Sequence, residues 1–457
     1  MHQNLTDCVN NLHYEKFQDG TVKCIEDEIP FEVPEGWEWS RLNSIVDVRD
    51  GTHDTPTYVD KGIPLITSKN LVEGGIDYSN VKYISEKDAI SINERSGVNI
   101  GDILFAMIGT IGNPSMITKD ILISIKNVAL FKFTFSKNLS NHFVMYFLDY
   151  AQEDMKNKPS GGLQPFVSLN FLRTYLVPVP PVEEQQRIVS ILADSINKIR
   201  NIDVLKNELT ASVEKAKSKI LDLAIRGKLV PQDPNDEPAS VLLERIRTEK
   251  EELIKQGKIK RDKKESVIFK GEDNSYYGIH LPTSWSWASL REIAFSISDG
   301  SHNPPSDKGF GIPLLSAANV NNNSILIKEV SRWITNEEWE IENQRTHIEL
   351  GDVLLTIVGS IGRSAVVHTD RHFALQRSVA VIKPCLVNPL YLMNVFQAPQ
   401  IQKWLNDNSK GTAQKGIYLN ALSIMVIPIP PLAEQERIVE QISTAYKQLD
   451  FISNALL

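Results

Sequence analysis

Cysteine is scarce in this chain. Cys8, Cys24 and Cys385 are the three in 457 residues. An odd number without CxxC spacing supports neither a disulfide framework nor a zinc site, and it fits a reducing compartment. Long apolar runs are also missing: none approaches the roughly 18 residues a membrane helix needs. The N-terminal MHQNLTDCVNN lacks a basic-then-apolar leader, so the expectation is a soluble, cytoplasmic protein with no membrane partner. Positive charge is not in excess. Lys plus Arg number 49 against 57 Asp plus Glu, a net of -8, which argues against a chain that simply coats nucleic acid or an anionic membrane. Any DNA contact would have to be local.

Catalytic signatures are absent as well. The nine histidines form no HxxxH, HExxH or His/Cys cluster, so no metal site is expected. Gly109, Gly112, Gly359 and Gly362 lack the GxGxxG and GxxxxGK[ST] patterns that hold nucleotides, and tight turns explain them. Asn303-Pro304-Pro305-Ser306 has the form of the adenine-N6 methyltransferase motif, but Ser306 stands where an aromatic residue would stack on the flipped base. Methyl transfer by this chain is not expected. What the chain does have is an ordinary globular composition, 42% apolar and 23% charged, at a length beyond one hydrophobic core.

The chain matches itself at an offset of 248 to 251 residues, with the pieces in the same order. Pro34-Glu35-Gly36-Trp37-Glu38-Trp39 returns as Pro282-Thr283-Ser284-Trp285-Ser286-Trp287, and Asp50-Gly51-Thr52-His53 as Asp299-Gly300-Ser301-His302. Gly62-Ile63-Pro64-Leu65 returns as Gly311-Ile312-Pro313-Leu314, and the stretch from Gly101 to Gly112 as that from Gly351 to Gly362. Pro180-Pro181 with Glu184-Gln185-Gln186-Arg187-Ile188-Val189 returns as Pro430-Pro431 with Glu434-Gln435-Glu436-Arg437-Ile438-Val439. Units of about 180 residues are domain-sized, too long for a solenoid repeat. Two tandem copies of one domain follow.

Within a unit, short apolar runs bounded by Gly, Pro, Asn and Asp read as strands: Ile63 to Thr67, Ile103 to Ile108 and Val128 to Phe133. Asn141 to Lys156 and Pro389 to Leu405 read as helices, so the fold class is α+β rather than alternating βαβ. Glu183 to Arg226 contains no Gly or Pro and carries apolar residues three or four apart, Ile188, Leu192, Ile199, Ile202, Leu209, Ile220 and Leu223 among them. One long helix is predicted, about 66 Å at 1.5 Å per residue, with a stripe that calls for a partner helix. Ile438, Ile442 and Leu449 carry the same stripe in the second copy. Pro231 to Pro238 makes a turn, Ala239 to Gln256 a helix that folds back, and Lys258 to Lys264 a charged linker. The expected domains are 1–181, a helical arm and linker over 182–264, 265–431, and a short arm over 432–457.

The Trp-Glu-Trp entry, Gly101-Asp102-Ile103-Leu104, the Pro-Pro-x-x-Glu-Gln helix start and above all Gly227-Lys228-Leu229-Val230-Pro231-Gln232 carry a resemblance. The chain resembles the DNA-specificity subunit of type I restriction-modification systems over nearly its whole length. The resemblance implies a non-catalytic subunit in which two target-recognition domains, held apart by antiparallel coiled-coil helices, read a bipartite double-stranded DNA site. It also implies methyltransferase subunits, two of them, docked on the arms, and restriction/translocase subunits beyond. S-adenosylmethionine, and ATP with Mg, would belong to those partners, with no cofactor on this chain. This sequence departs from the pattern in its second arm, which lacks a counterpart to residues 208 to 256.

Residues 1 to 180 carry 16 basic and 23 acidic side chains, and 265 to 430 carry 13 and 15, so neither domain is a basic clamp. Base-edge contacts by polar side chains beside the framework are the expectation. The candidates are Lys69, Asn70, Thr110, Lys126, Asn127, Lys158 and Gln164 in the first copy. Asn319, Ser360, Arg363, Gln376, Arg377, Lys410, Gln414 and Lys415 are those of the second. His53 and His302 either tie a turn with the neighbouring Asp or face a ligand. A competing reading is a coiled-coil scaffold with two protein-binding globular ends.

Overall fold

The structure is a computed structural model and describes residues 12–134, 138–158, 165–259, 261, 275–411 and 415–455. By contacts the chain divides into two compact units, 1–202 and 203–457. The division falls inside the long helix, Val182–Ile225. The second unit therefore contains the distal half of that helix, the return helix Ala239–Lys255 and the terminal helix Leu432–Asn454.

The repeat in the sequence is a repeat of topology. In the first unit an antiparallel sheet runs Gly112–Met116, Ile103–Ala106, Val128–Lys132, Asp47–Asp50. In the second the equivalent order is Ser364–Val366, Val353–Thr356, Val379–Pro384, Ala294–Asp299. Ile103–Ala106, Val128–Lys132 and Val353–Thr356 are buried along their whole length and Val379–Pro384 over its first four residues, which is why these strands read as unbroken apolar runs rather than alternating ones. A second sheet in each unit is built on Ile63–Thr67, paired in parallel with Ser124–Lys126, or on Ile312–Leu315, paired in parallel with Ala374–Leu375. Glu38–Arg41 pairs with Leu176–Val179, and Ser286–Ser289 with Val426–Ile429, so the start and end of each repeat close on one another.

Most predicted elements end within two residues of their expected limits. The exception is instructive. The expected helix from Pro389 to Leu405 is two, Pro389–Gln397 and Pro399–Asp407. Pro399 has no N–H to continue the ladder and holds Ala398 in an extended conformation, φ -66° and ψ 141°. The first unit has Asp149 at that place, and Asn141–Asn157 runs unbroken.

The Pro-Pro-x-x-Glu-Gln motif has a mechanical reading. Gln185 accepts from Ser140 N at 2.8 Å and donates to Pro180 O at 2.9 Å, while Gln435 accepts from Asn388 N at 2.9 Å and donates to Pro430 O at 3.0 Å. Each glutamine ties the start of its long helix to the N-cap of a helix in the domain. Glu183 and Glu184 in the first turn favour that end of the helix macrodipole. Gly227, at φ +65°, ends the helix, and a Cβ there would lie 2.5 Å from Pro282 Cγ.

Candidate nucleic-acid interface

In both units one end of the antiparallel sheet gathers three loops. The Asp-Gly-Thr-His turn leaves the edge strand and lies against residues 125–128: Gly51 N donates to Val128 O and Thr52 N to Ile125 O, each at 3.0 Å. A Cβ on Gly51 would stand 2.3 Å from Ile125 O, so only glycine permits this approach. The second unit repeats it, with Ser301 N donating to Leu375 O at 2.7 Å and a Cβ on Gly300 meeting Leu375 O at 2.1 Å.

The turn builds the same polar cluster twice. His53 Nε2 lies 2.9 Å from Asp50 Oδ2, Arg95 pairs with the other oxygen of Asp50, and His53 Nδ1 is 3.0 Å from Asn127 Oδ1. His302 Nε2 lies 2.9 Å from Asp299 Oδ2, and Arg345 pairs with Asp299 while its Nε donates to Asp299 O at 2.9 Å. The carboxylates are buried, whereas His53, Arg95, His302 and Arg345 are each at least half exposed. A buried anion thus anchors two exposed nitrogen-rich side chains in each unit. The two arginines were not legible from local motifs; the 250-residue offset that relates Arg95 to Arg345 is the signal that finds them.

The remaining loops adjoin this cluster. Gly109 N donates to Pro165 O and Gly359 N to Lys415 O, both at 3.1 Å, and Ile357 N donates to Ser378 O at 2.9 Å, beside Arg377. Thr110, Ser360, Arg377, Lys410 and Lys415 are exposed here, and Lys126, Asn127 and Gln376 are half-buried. Lys126 Nζ donates to Thr55 Oγ1 at 2.7 Å. Asn127 takes a left-handed conformation, φ +55°. Lys69 is exposed, one residue from Ser68, whose hydroxyl donates to Asn127 O at 3.1 Å.

Other expected contact residues are committed elsewhere. Asn70 and Asn319 are buried, and each closes a capping box at the start of a short 3-10 helix. Their amides donate to Asp77 O and Glu329 O, so neither is available to a base edge. Arg363 is half-buried against Asn321, with 3.1 Å between Nη1 and Oδ1. Lys158 pairs with Asp154 at 2.9 Å at the end of its own helix. Gln164 and Gln414 lie outside the described residues.

The helical stripe divides into parts. Ile438 and Ile442 are buried in the second core, and Ile220, Leu223 and Leu449 are half-buried. Ile188 packs at the margin of the first core. Leu192, Ile199, Ile202 and Leu209 are exposed, which corrects the expectation of a covered seam along the whole helix. The terminal helix runs antiparallel to the distal end: Asp450 pairs with Lys217 at 2.8 Å, and Gln232 meets Glu434 beyond the helix end. Ile199 lies 18 residues before Lys217, about 27 Å along the axis.

Among the described residues no group of His, Cys, Asp and Glu could hold a metal ion, and no helix is long and apolar enough to cross a membrane. Residues 34–211 and 301–456 match the family described as the type I restriction modification DNA specificity domain. The chain belongs to that family. It is 34% identical to the EcoAI specificity subunit of Escherichia coli over half of this chain and 38% of that protein. To the EcoEI specificity subunit of the same species it is 25% identical, with 96% of this chain and 83% of that protein covered. Family members named specificity subunits are the non-catalytic components of such systems. The crystal structure of an HsdS subunit from Thermoanaerobacter tengcongensis shares the fold at a TM-score of 0.53 and 20% identity, over 94% of each chain.

Proposed function

We propose that this chain is the specificity subunit of a type I restriction-modification complex and reads a bipartite duplex site. The observation that carries the reading is the doubled sheet end. Two units of one topology present the same Asp-His-Arg cluster, surrounded by different polar residues. Lys126 and Asn127 stand in one where Gln376 and Arg377 stand in the other. A shared framework with unlike readers specifies two different half-sites rather than a palindrome. The long helix, paired as a coiled coil in the assembly, would set the unread gap between them, since four added residues lengthen a helix by about 6 Å.

With a net charge of -8, this chain supplies little of the attraction for phosphate. Methyltransferase subunits, two of them, docked on the exposed stripe of Leu192, Ile199, Ile202 and Leu209 would supply more. They would bring S-adenosylmethionine, and restriction subunits would bring ATP and Mg. Comparison of genome-wide DNA methylation with and without the gene tests this reading. One bipartite motif should lose its methylation, and an unchanged methylome sinks the proposal. Ile199→Asp should abolish co-purification with the methyltransferase subunit, and undiminished co-purification would rule out docking at that stripe.

A further inference from the structure

The two sheet ends are extended by the same short backbone segment carrying unlike side chains. In the first unit Gly109 N donates to Pro165 O at 3.1 Å and Val167 N to Met107 O at 2.9 Å, and between these rungs Phe166 bridges antiparallel to Ile108. In the second unit Gly359 N donates to Lys415 O at 3.1 Å and Ile417 N to Ile357 O at 2.8 Å, with Gly416 bridged to Val358. A phenylalanine stands in one unit where the other has no side chain at all.

Alternation along this segment decides where each side chain goes. Val167 is buried in the first core, so its neighbour Phe166 takes the opposite face. There the ring is 36% exposed, beside the exposed Thr110 loop, on backbone fixed by a hydrogen bond on either side. A ring held in this way loses little freedom on meeting a partner and gains by withdrawing apolar surface from water. In the second unit Gly416 is closed off instead. It exchanges backbone bonds of 2.8 and 2.9 Å with Lys410, and a Cβ there would lie 3.2 Å from Val358 Cγ2. Lys410 and Lys415 are the exposed side chains at that place.

We infer that Phe166 is a specificity-determining residue whose ring packs on the 5-methyl group of a thymine in the half-site read by the first unit. This deepens the duplex-reading proposal and rests on it. Among the base-pair edges of the major groove, the thymine methyl is the apolar group, and phenylalanine is one of the side chains that match it. The spacing also fits. Phe166, Ile108, Val128–Lys132 and Asp50 lie on four successive chains of one sheet end. At about 4.8 Å per strand the ring stands about 14 Å from the Asp50 and His53 cluster, the length of about four base steps at roughly 3.4 Å each. One half-site can therefore meet the ring and the cluster together. The second unit has no ring to offer, so the thymine requirement belongs to one half-site alone.

Duplex binding by the reconstituted complex tests it, on the bipartite motif identified by methylation, with each thymine replaced singly by uracil, which lacks only the methyl group. One replacement, confined to one half-site, should weaken binding by about fourfold, the worth of a single methyl group withdrawn from water. In a complex carrying Phe166→Ala, that thymine and its uracil replacement should bind equally. Responses in the other half-site should stay as they were, which reports that the variant is folded. Phe166→Gly copies the residue of the second unit and should give the same result. A uracil penalty that persists undiminished in both variants overturns the inference, as does a native complex to which no replacement matters. Specific binding in either case leaves the duplex-reading proposal standing, whereas a native complex without any sequence preference sinks both.

Discussion

The two units use one topology, yet the long-helix start is a core in one and a surface in the other. Ile438 is fully buried beneath the distal long helix, whereas Ile188, on the equivalent turn, is only half-buried. Trp285 is 4% exposed and hydrogen-bonded, whereas Trp37 is half-buried and its N–H has no partner among the described residues. The difference teaches that one motif can be core or surface, according to whether a segment outside the repeat, as residues 221–246 do in the second unit, packs across it.

Substitution at matched positions can break this comparison. Ile438→Asp should cost about 3–5 kcal/mol, because a carboxylate would enter a filled core, while Ile188→Asp should cost about 1 kcal/mol. Calorimetric unfolding of the two variants measures both; equal losses would show that the two helix starts are equally buried. Glu434→Ala should follow at about 1–3 kcal/mol, since it strands the Trp285 N–H. Glu184→Ala should change stability by less than about 0.5 kcal/mol in the same assay.

Acid sharpens the contrast further. Asp222 ends the long helix inside the second unit. Burial pushes its carboxyl up, but donors from Lys219, Arg226 and Gln400 outweigh this and hold it at about 2, below the usual 3.8. A value depressed by folding gives stability that is complete above pH 4 and lost as the pH falls toward 2. An acid titration of unfolding should show that slope in the native chain and a flatter one in Asp222→Asn. The smallest effect concerns the doubled polar cluster. Arg95→Ala and Arg345→Ala should each weaken duplex binding by the reconstituted complex and reduce the salt slope by about one. An unchanged slope in both would leave the sheet ends without a role at phosphate.

Much of this architecture is legible in the sequence. The strand Ile63–Thr67 and the helix Ala239–Lys255 appear within a residue of where period and turn residues put them. The candidate interface was legible only in outline. Polarity marked Asn70 and Lys126 alike, but Asn70 caps a buried turn while Lys126 stands at the loop cluster. A hydrogen bond to the chain's own backbone leaves no trace in composition, and Arg95 carries no local motif at all.

By itself, the order of residues determined the duplication, the α+β class and the 44-residue helix, because each depends on self-similarity or on local periodicity. Only the tertiary structure decided which equivalent side chains meet a partner. Trp37 and Trp285 stand in the same motif, and they differ because burial depends on what packs across from a residue: Trp285 lies against the chain at Gly227, some 58 residues before it.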